Sequence, residues 1–357
     1  MKHPTVVTVA QLDDFDEVID TRSPSEFALD HVPGAINCPV LDDEERARVG
    51  TIYKQVSPFD AKKLGAALVS RNIAKHIEAR FAAHGRDWHP LIYCWRGGKR
   101  SAAMAHVLRE IGWQAAQLEG GYKAYRHEVV AQLESLPRRF DYLVVCGATG
   151  SAKSRLLETL DARGAQVLDL ERLACHRGSV LGDLPDEPQP PQKLFDSQLW
   201  NTLRHFDPAR PVFVEAESKK IGQLQVPGAM LERMRESRCI RIEAPVSERV
   251  QFLIAEYRHF LDDPETLKAK LACLTHLYGR EVIARWLALV DARDWNALVG
   301  DLLVNHYDPA YERSTLRNYP DLGAALQLRL ERLSPEAIEA GVTDLLARAA
   351  ASPTLQA

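Results

Sequence analysis

A thiol, three cations and two glycines crowd into one short stretch, Cys94-Trp95-Arg96-Gly97-Gly98-Lys99-Arg100-Ser101. The apolar run Leu91-Ile92-Tyr93 leads into Cys94, and a helical pattern from Ser101 to Ile111 follows it. Gly97 and Gly98 let the backbone curl until successive N–H groups point inward, which makes a cradle for an anion. The start of the helix adds partial positive charge, and Arg96, Lys99 and Arg100 add full charges. Together these groups favour a thiolate nucleophile at Cys94. The same cradle suits a persulfide, a perselenide or a phosphate oxyanion. The spacing Cys-x5-Arg followed by Ser therefore leaves two chemistries open: chalcogen transfer and attack on a phosphate ester.

A second loop, Gly147-Ala148-Thr149-Gly150-Ser151-Ala152-Lys153-Ser154, lies between the apolar strand pattern Tyr142 to Cys146 and a helical pattern from Arg155 to Ala162. Its order matches a Walker A phosphate loop. Gly147, Thr149, Gly150 and Ser151 would present backbone N–H groups to phosphate oxygens, Lys153 would neutralise them, and Ser154 could ligate Mg²⁺. The generic pattern has Gly immediately before the Lys, where this chain has Ala152. Alanine resists positive φ, so the loop is either intact, reshaped, or suited to a ligand other than ATP. No adenine-binding signature stands out, which keeps a non-nucleotide diphosphate open as the ligand. Asp169 ends the next strand pattern, and Glu215 and Glu217 follow the one after it. All three are candidates for a substrate hydroxyl or Mg²⁺.

These loops need elements to hold them. Residues 1–134 read as one α/β unit with strands at Val18–Asp20, Leu91–Cys94 and Gln114–Leu118, and with a helical insert at about 42–84. Residues 135–245 read as a second α/β unit with strands at Tyr142–Cys146, Val167–Leu170 and Pro211–Glu215. Strands alternating with helices predict a parallel sheet in each. Residues 246–357 read as helical and amphipathic throughout. The 357 residues carry 46% hydrophobic and 26% charged side chains with a net charge of −4, so any nucleic-acid contact must come from a local basic face. Six cysteines stand apart with no CxxC pair, which predicts reduced thiols and no metal site. Cys38, Cys146, Cys175, Cys239 and Cys273 read as small packing residues. No apolar stretch is long enough to span a membrane, and the start MKHPTVVTVA has no signal-peptide core, so a cytoplasmic location is expected.

The flanks of the thiol loop narrow its chemistry. Asp20-Thr21-Arg22-Ser23-Pro24-Ser25-Glu26-Phe27 and His31-Val32-Pro33-Gly34-Ala35-Ile36-Asn37 resemble the N-terminal rhodanese signature, and Leu118-Glu119-Gly120-Gly121-Tyr122 resembles the C-terminal one. The tyrosine-phosphatase loop usually has His before its Cys, and here that residue is Tyr93. A rhodanese-like domain followed by a P-loop NTPase-like parallel α/β domain, with a helical C-terminal part, is an unusual pairing. It resembles the tRNA 2-selenouridine synthase family over roughly residues 5–320. Further segments carry the likeness: Gly50-Thr51-Ile52-Tyr53-Lys54-Gln55, Asp169-Leu170-Glu171, His176-Arg177-Gly178-Ser179, Val214-Glu215-Ala216-Glu217-Ser218-Lys219-Lys220 and His306-Tyr307-Asp308-Pro309-Ala310-Tyr311.

The resemblance implies a two-step reaction on the wobble 2-thiouridine of tRNA. Geranyl diphosphate first alkylates the sulfur, and selenophosphate then supplies selenium. Cys94 would be the nucleophile or chalcogen carrier, and Arg96, Gly97, Gly98, Lys99 and Arg100 its anion loop. The phosphate loop would hold the diphosphate. His176, Arg177, Lys219 and Lys220 would be candidate tRNA contacts. Geranyl diphosphate and selenophosphate enter as co-substrates, with no tightly bound cofactor. A persulfide-carrying sulfurtransferase coupled to nucleotide hydrolysis is the alternative that the residues leave open.

Overall fold

The computed structural model of the chain describes residues 4–179 and 181–351. They form two compact units: residues 1–133 with 191–201, and residues 134–190 with 202–357.

The first unit is built on five short parallel strands: β1 (Val6–Val7), β2 (Glu17–Asp20), β3 (Ile36–Asn37), β4 (Pro90–Tyr93) and β5 (Ala116–Leu118). Their order across the sheet is β1-β5-β4-β2-β3. Every residue of the central strand β4 is buried, as a parallel sheet covered on both faces requires. Cys94 therefore leaves the carboxyl end of the central strand, where open α/β sheets place their sites. Ile19 and Ile92 pack with Met104, Leu108, Phe81 and Trp88 beneath it. The insert is helical. Asp42 and Glu45 cap the helix Asp43–Gln55 reciprocally, with Glu45 N to Asp42 Oδ1 at 2.7 Å and Asp42 N to Glu45 Oε2 at 3.1 Å. Ser57 and Pro58 open the next helix, Pro58–His76.

The second unit repeats the logic. Its strands β6 (Tyr142–Gly147), β7 (Gln166–Leu168), β8 (Val212–Glu215), β11 (Arg238–Glu243) and β12 (Leu326–Arg329) form a parallel sheet ordered β12-β11-β6-β8-β7. A two-stranded antiparallel hairpin, β9 (Lys220–Ile221) with β10 (Leu224–Gln225), stands apart from it. β6 is central and wholly buried, so the phosphate loop also leaves the carboxyl end of a central strand. Leu156 and Leu160 from the helix Lys153–Ala162 pack against Val145, Phe213, Ile240 and Val342.

Sequence expectations change here at particular elements. Residues 246–351 are mostly helical, as expected, but Leu326–Arg329 pairs with β11 as an edge strand and the helix Pro335–Ala351 packs on the sheet core. Four residues reading Leu-Gln-Leu-Arg are too few to override the helical periodicity around them. The interval 135–245 is also not continuous, since residues 191–201 group with the first unit. Asp169 caps a short helix, Leu170–Leu173, instead of lying within a strand. No helix among the described residues is long and apolar enough to cross a membrane.

Candidate active site: a thiol cradle and a phosphate loop

Cys94 is only 3% exposed and its sulfur sits inside its own loop. Gly98 N donates to Sγ at 3.2 Å and Ser101 Oγ donates at 3.1 Å. Hydrogen bonds to sulfur from an amide and a hydroxyl stabilise negative charge there. The Gly-Gly-Tyr segment behind β5 explains the loop's shape. Tyr122 N donates to Cys94 O at 2.8 Å, Lys123 N to Trp95 O at 3.0 Å, and Gln117 Nε2 to Gly97 O at 2.6 Å. Gly121 has φ +57°, and a Cβ on it would lie 2.2 Å from Cys94 O and 2.4 Å from Gly97 N. Gly121→Ala is therefore expected to cost roughly 2–5 kcal/mol, from overpacking plus left-handed strain. A chemical denaturation midpoint no lower than the parent's would contradict this account of the loop.

The rhodanese-like signature turns out to be mostly scaffold. Arg22, 1% exposed, forks onto Asp20, donates to Asp30 O at 2.5 Å and lies 3.9 Å from the Tyr122 ring centroid. Asp30 accepts from Tyr122 Oη at 2.8 Å and from Ser197 Oγ at 2.7 Å. Of the three cations expected to serve the anion, Arg100 faces Glu26 at 3.1 Å. Burial pushes the Glu26 carboxyl up, but Arg100 beside it holds it below the usual range. Arg96 and Lys99 are exposed, and Arg96 lines a groove with Glu119, Lys123 and His127. The structure thus places Gly98 and Ser101 at the sulfur. Ser101 ended the notable stretch in sequence, and its role there had no local signal.

The phosphate loop answers the question Ala152 raised. Ala152 adopts φ +60°, ψ +33°, the left-handed conformation a glycine would supply. That costs about 1–2 kcal/mol in an L-residue. Ala152 is 3% exposed and packs in the sheet core, which offsets part of the strain. Gly150, at φ +79°, leaves no room for a Cβ, which would meet Leu253 at 2.9 Å. Lys153 Nζ donates to Gly147 O at 2.8 Å and lies 5.9 Å from the Tyr311 ring centroid. Ser154 Oγ donates to Glu171 Oε2 at 3.2 Å. Arg249, 5% exposed, braces the loop from behind, with Nε to Thr149 O at 2.8 Å and both Nη groups on Asp308 at 3.0 and 2.5 Å.

A cavity of about 390 Å³ opens over this loop. Asp169, Glu171 and Glu217 line it near the ends of β7 and β8, and Glu215 is buried behind them. Glu215 Oε1 accepts from Glu171 N at 2.6 Å, and Asp169 Oδ1 accepts from Arg172 N at 2.7 Å. Burial pushes the Asp169 and Glu171 carboxyls up, with Lys153 opposing this at Glu171. Burial and the neighbouring Asp169 and Glu171 push Glu215 well up. Burial and then Glu171 raise Glu217 to about 8. Such a carboxyl stabilises the fold fully below its unfolded value near 4.5, and the contribution fades as pH rises through about 8. Glu217→Gln is therefore expected to match the parent's thermal stability near pH 4.5 and to exceed it above pH 8. The gain should be on the order of 1–3 kcal/mol. Equal melting at both pH values would remove the assignment.

The basic candidates divide. His176, 5% exposed, accepts from Gly178 N at 3.0 Å through Nδ1 and faces Asp183 at 3.3 Å, and burial lowers its pKa. Arg177 pairs with Glu256 at 3.2 Å and lies 4.7 Å from the Tyr257 ring centroid, on the wall of the phosphate-loop cavity. Lys219 and Lys220 are exposed, and Lys220 opens β9. Sequence reasoning did not single out Glu171, Arg249, Tyr257 or Tyr311. Glu171 and Tyr311 lay in segments already noted for their likeness, whereas Arg249 had only a helical pattern around it.

Comparison with known proteins places both loops in one family. The rhodanese-like domain profile matches residues 7–128, and the tRNA 2-selenouridine synthase AAA domain profile matches residues 140–276. The tRNA 2-selenouridine synthase of Nitrosomonas europaea is 36% identical over 245 residues, covering 67% of this chain and 63% of the relative. That of Bdellovibrio bacteriovorus is 37% identical over 247 residues, covering 67% and 64%. The chain thus spans just under two thirds of the length of these two relatives. The protein of the same name from Alcanivorax borkumensis is 32% identical over 330 residues, covering 83% of this chain and 88% of that one. With both profiles matched in order and a relative aligned over most of its length, this chain belongs to the tRNA 2-selenouridine synthase family.

Proposed function

We propose that the protein modifies tRNA, converting wobble 2-thiouridine to 2-selenouridine through an S-geranyl intermediate. The observation that carries this reading is that one chain of this family holds both a thiol cradle and a phosphate loop, each at the carboxyl end of a central strand.

In the first step the thiocarbonyl sulfur attacks the first carbon of geranyl diphosphate. The C–S bond forms, the C–O bond breaks, and diphosphate leaves into the loop of Gly147, Thr149, Gly150, Ser151, Lys153 and Ser154. Lys153 and the loop amides stabilise the departing charge. Alkylation also releases the ring N–H proton, which passes to solvent. Mg²⁺ would add further neutralisation of the diphosphate. Ser154 and Glu171 offer the hard oxygen donors it takes. Among the described residues no three acidic, His or Cys side chains could hold a metal unaided, so diphosphate oxygens would complete its shell.

In the second step selenium replaces the geranylthio group. Storing it on Cys94 as a perselenide would oxidise the thiol and selenide together by two electrons, and selenophosphate supplies no acceptor. Attack by the Cys94 thiolate on phosphorus is redox-neutral: the S–P bond forms, the P–Se bond breaks, and selenide leaves. Selenide then adds to the pyrimidine carbon and expels geranylthiolate, which takes a proton. Water hydrolyses the phosphocysteine to phosphate and restores the thiol. Gly98 N and Ser101 Oγ hold the sulfur for that attack.

The test is nucleoside mass spectrometry of 2-thiouridine tRNA incubated with the enzyme, geranyl diphosphate and then selenophosphate. S-geranyl-2-thiouridine followed by 2-selenouridine is expected. Absence of both, with thiosulfate sulfurtransferase activity and nucleotide hydrolysis instead, would replace this reading with an ATP-coupled sulfurtransferase.

A further inference from the structure

Of the six tryptophans in the chain, Trp95 is the most exposed among the described residues, at 37%. It directly follows Cys94, where the chain leaves β4. A single exposed apolar side chain is ordinary on a protein surface. Trp95 differs in being held. Its ring rests against that of Tyr122, with centroids 5.2 Å apart and planes tilted by 33°. Tyr122 is 3% exposed and is fixed in turn, by its hydroxyl on Asp30 at 2.8 Å and by the Arg22 guanidinium 3.9 Å from its ring centroid. The Trp95 carbonyl accepts from Lys123 N at 3.0 Å. The indole is therefore braced from within, and its remaining surface faces solvent beside the nucleophile.

The cations of the loop do not gather at the sulfur as their spacing suggested. Arg100 is taken by Glu26. Arg96, Lys99 and Lys123 are exposed and make no ion pair among the described residues. Arg96, Lys123 and His127 line a groove of about 830 Å³ together with Glu119 and Glu128. Its charge is mixed, so an aromatic face has to supply most of the grip on an anionic chain. Aromatic rings with cations near them seat single-stranded RNA: a base stacks on the ring, and the adjoining phosphates meet the cations.

Selenide freed at Cys94 must reach the pyrimidine carbon before it escapes, so the ring has to lie at this loop. That ring changes its polar edge during the reaction. Alkylation removes its N–H donor and turns the thiocarbonyl into a thioether, and selenation restores the donor beside a selenocarbonyl. A stack on the ring face is indifferent to those changes, whereas hydrogen bonds to the edge are not. We propose that Trp95 is the platform on which the pyrimidine being modified stacks, with the flanking RNA phosphates facing Arg96, Lys99 and Lys123. The proposal rests on the reading that selenium is delivered from Cys94, and it adds the residue that binds the receiving base.

The test uses the full chain and tRNA whose wobble 2-thiouridine has been alkylated chemically, with a geranyl group in one sample and a methyl group in another. Trp95→Ala should raise KM for selenation of the geranylated tRNA roughly five- to hundredfold, with kcat much less affected. Trp95→Phe keeps a ring to stack on and should recover most of that loss. Binding of either tRNA without selenophosphate should quench a part of the parent's tryptophan emission that is missing from Trp95→Phe, a signal that a merely structural indole would not give. Lys123→Ala should reduce the slope of log affinity against log salt by about 0.7 and leave the quenching in place. Thermal melting identifies the variants that stay folded, and the emission comparison needs only the mild phenylalanine change. A parent that forms 2-selenouridine, with no Trp95 quenching and with the parent's KM kept by folded Trp95→Ala, would overturn the stack and leave the role of Cys94 standing. Weaker binding of the geranylated tRNA alone by Trp95→Ala, with the methylated one unaffected, would assign the indole to the alkyl chain and overturn the proposal equally. A parent that forms no 2-selenouridine, yet whose Trp95 is quenched by both tRNAs, would overturn delivery from Cys94 and keep the base on Trp95.

Discussion

Replacing Cys94 with serine is expected to abolish selenation and leave geranylation intact. The hydroxyl keeps the size and the hydrogen bonds from Gly98 and Ser101, but it is a far weaker nucleophile than a thiolate. Loss of a nucleophile costs on the order of 10³-fold or more in turnover. The loop around it should survive, because its shape is set by Gly97, Gly121 and the Tyr122 and Lys123 amides and not by the sulfur. The readout is the ratio of products in one reaction: S-geranyl-2-thiouridine should accumulate while 2-selenouridine vanishes. Selenouridine forming at the parent's rate would remove Cys94 from the mechanism. Trapping a phosphorylated Cys94 with selenophosphate alone would separate attack at phosphorus from a perselenide.

The second large effect is the reciprocal one. Lys153→Ala should depress geranylation about 10²–10³-fold. Lys153 projects from the first residue of its helix, and its ammonium is the cation of the loop itself. Removing it also leaves Glu171 and Glu217 without the charge that opposes their mutual repulsion. Supplied with tRNA already geranylated, the same variant should form 2-selenouridine near the parent's rate. A variant that loses both steps equally would argue for a shared chemistry at the phosphate loop, and one that loses neither would remove the loop from catalysis.

Both loops were legible from sequence for the same physical reason. A nucleophile or phosphate cradle needs a buried strand, a glycine-bearing turn and a helix start, and those three signals are local. Cys94 follows Leu91-Ile92-Tyr93, and Gly147 follows Tyr142 to Cys146. What escaped is set by partners distant in the chain. Arg100 reads as an anion ligand until Glu26, 74 residues away, is seen to face it. Glu171 reads as one more acid in a helix until Ser154 and Glu215 meet it. Arg249 reads as a surface cation on an amphipathic helix, yet it is buried against Thr149 O and Asp308. Ala152 could be named as a departure, but its consequence depended on whether the surrounding core would hold a left-handed alanine, which it does.

The late edge strand bears on how the second unit is made. Ile240 pairs with Leu326 and Glu243 with Arg329, so β11 waits for more than eighty residues of helix before its outer neighbour is synthesised. Until then, one edge of the sheet that carries the phosphate loop presents unpaired backbone groups, and Leu156 and Leu160 lack the cover of Ile338, Val342 and Leu345. The nascent chain can shape its first sheet early, since β1 to β5 are complete by residue 118. The second sheet closes only once residues 326–329 are made. High-separation pairings of this kind fold slowly and expose sticky edges meanwhile, so the strand Leu326–Arg329 and the helix Pro335–Ala351 decide whether the phosphate loop gets a finished scaffold.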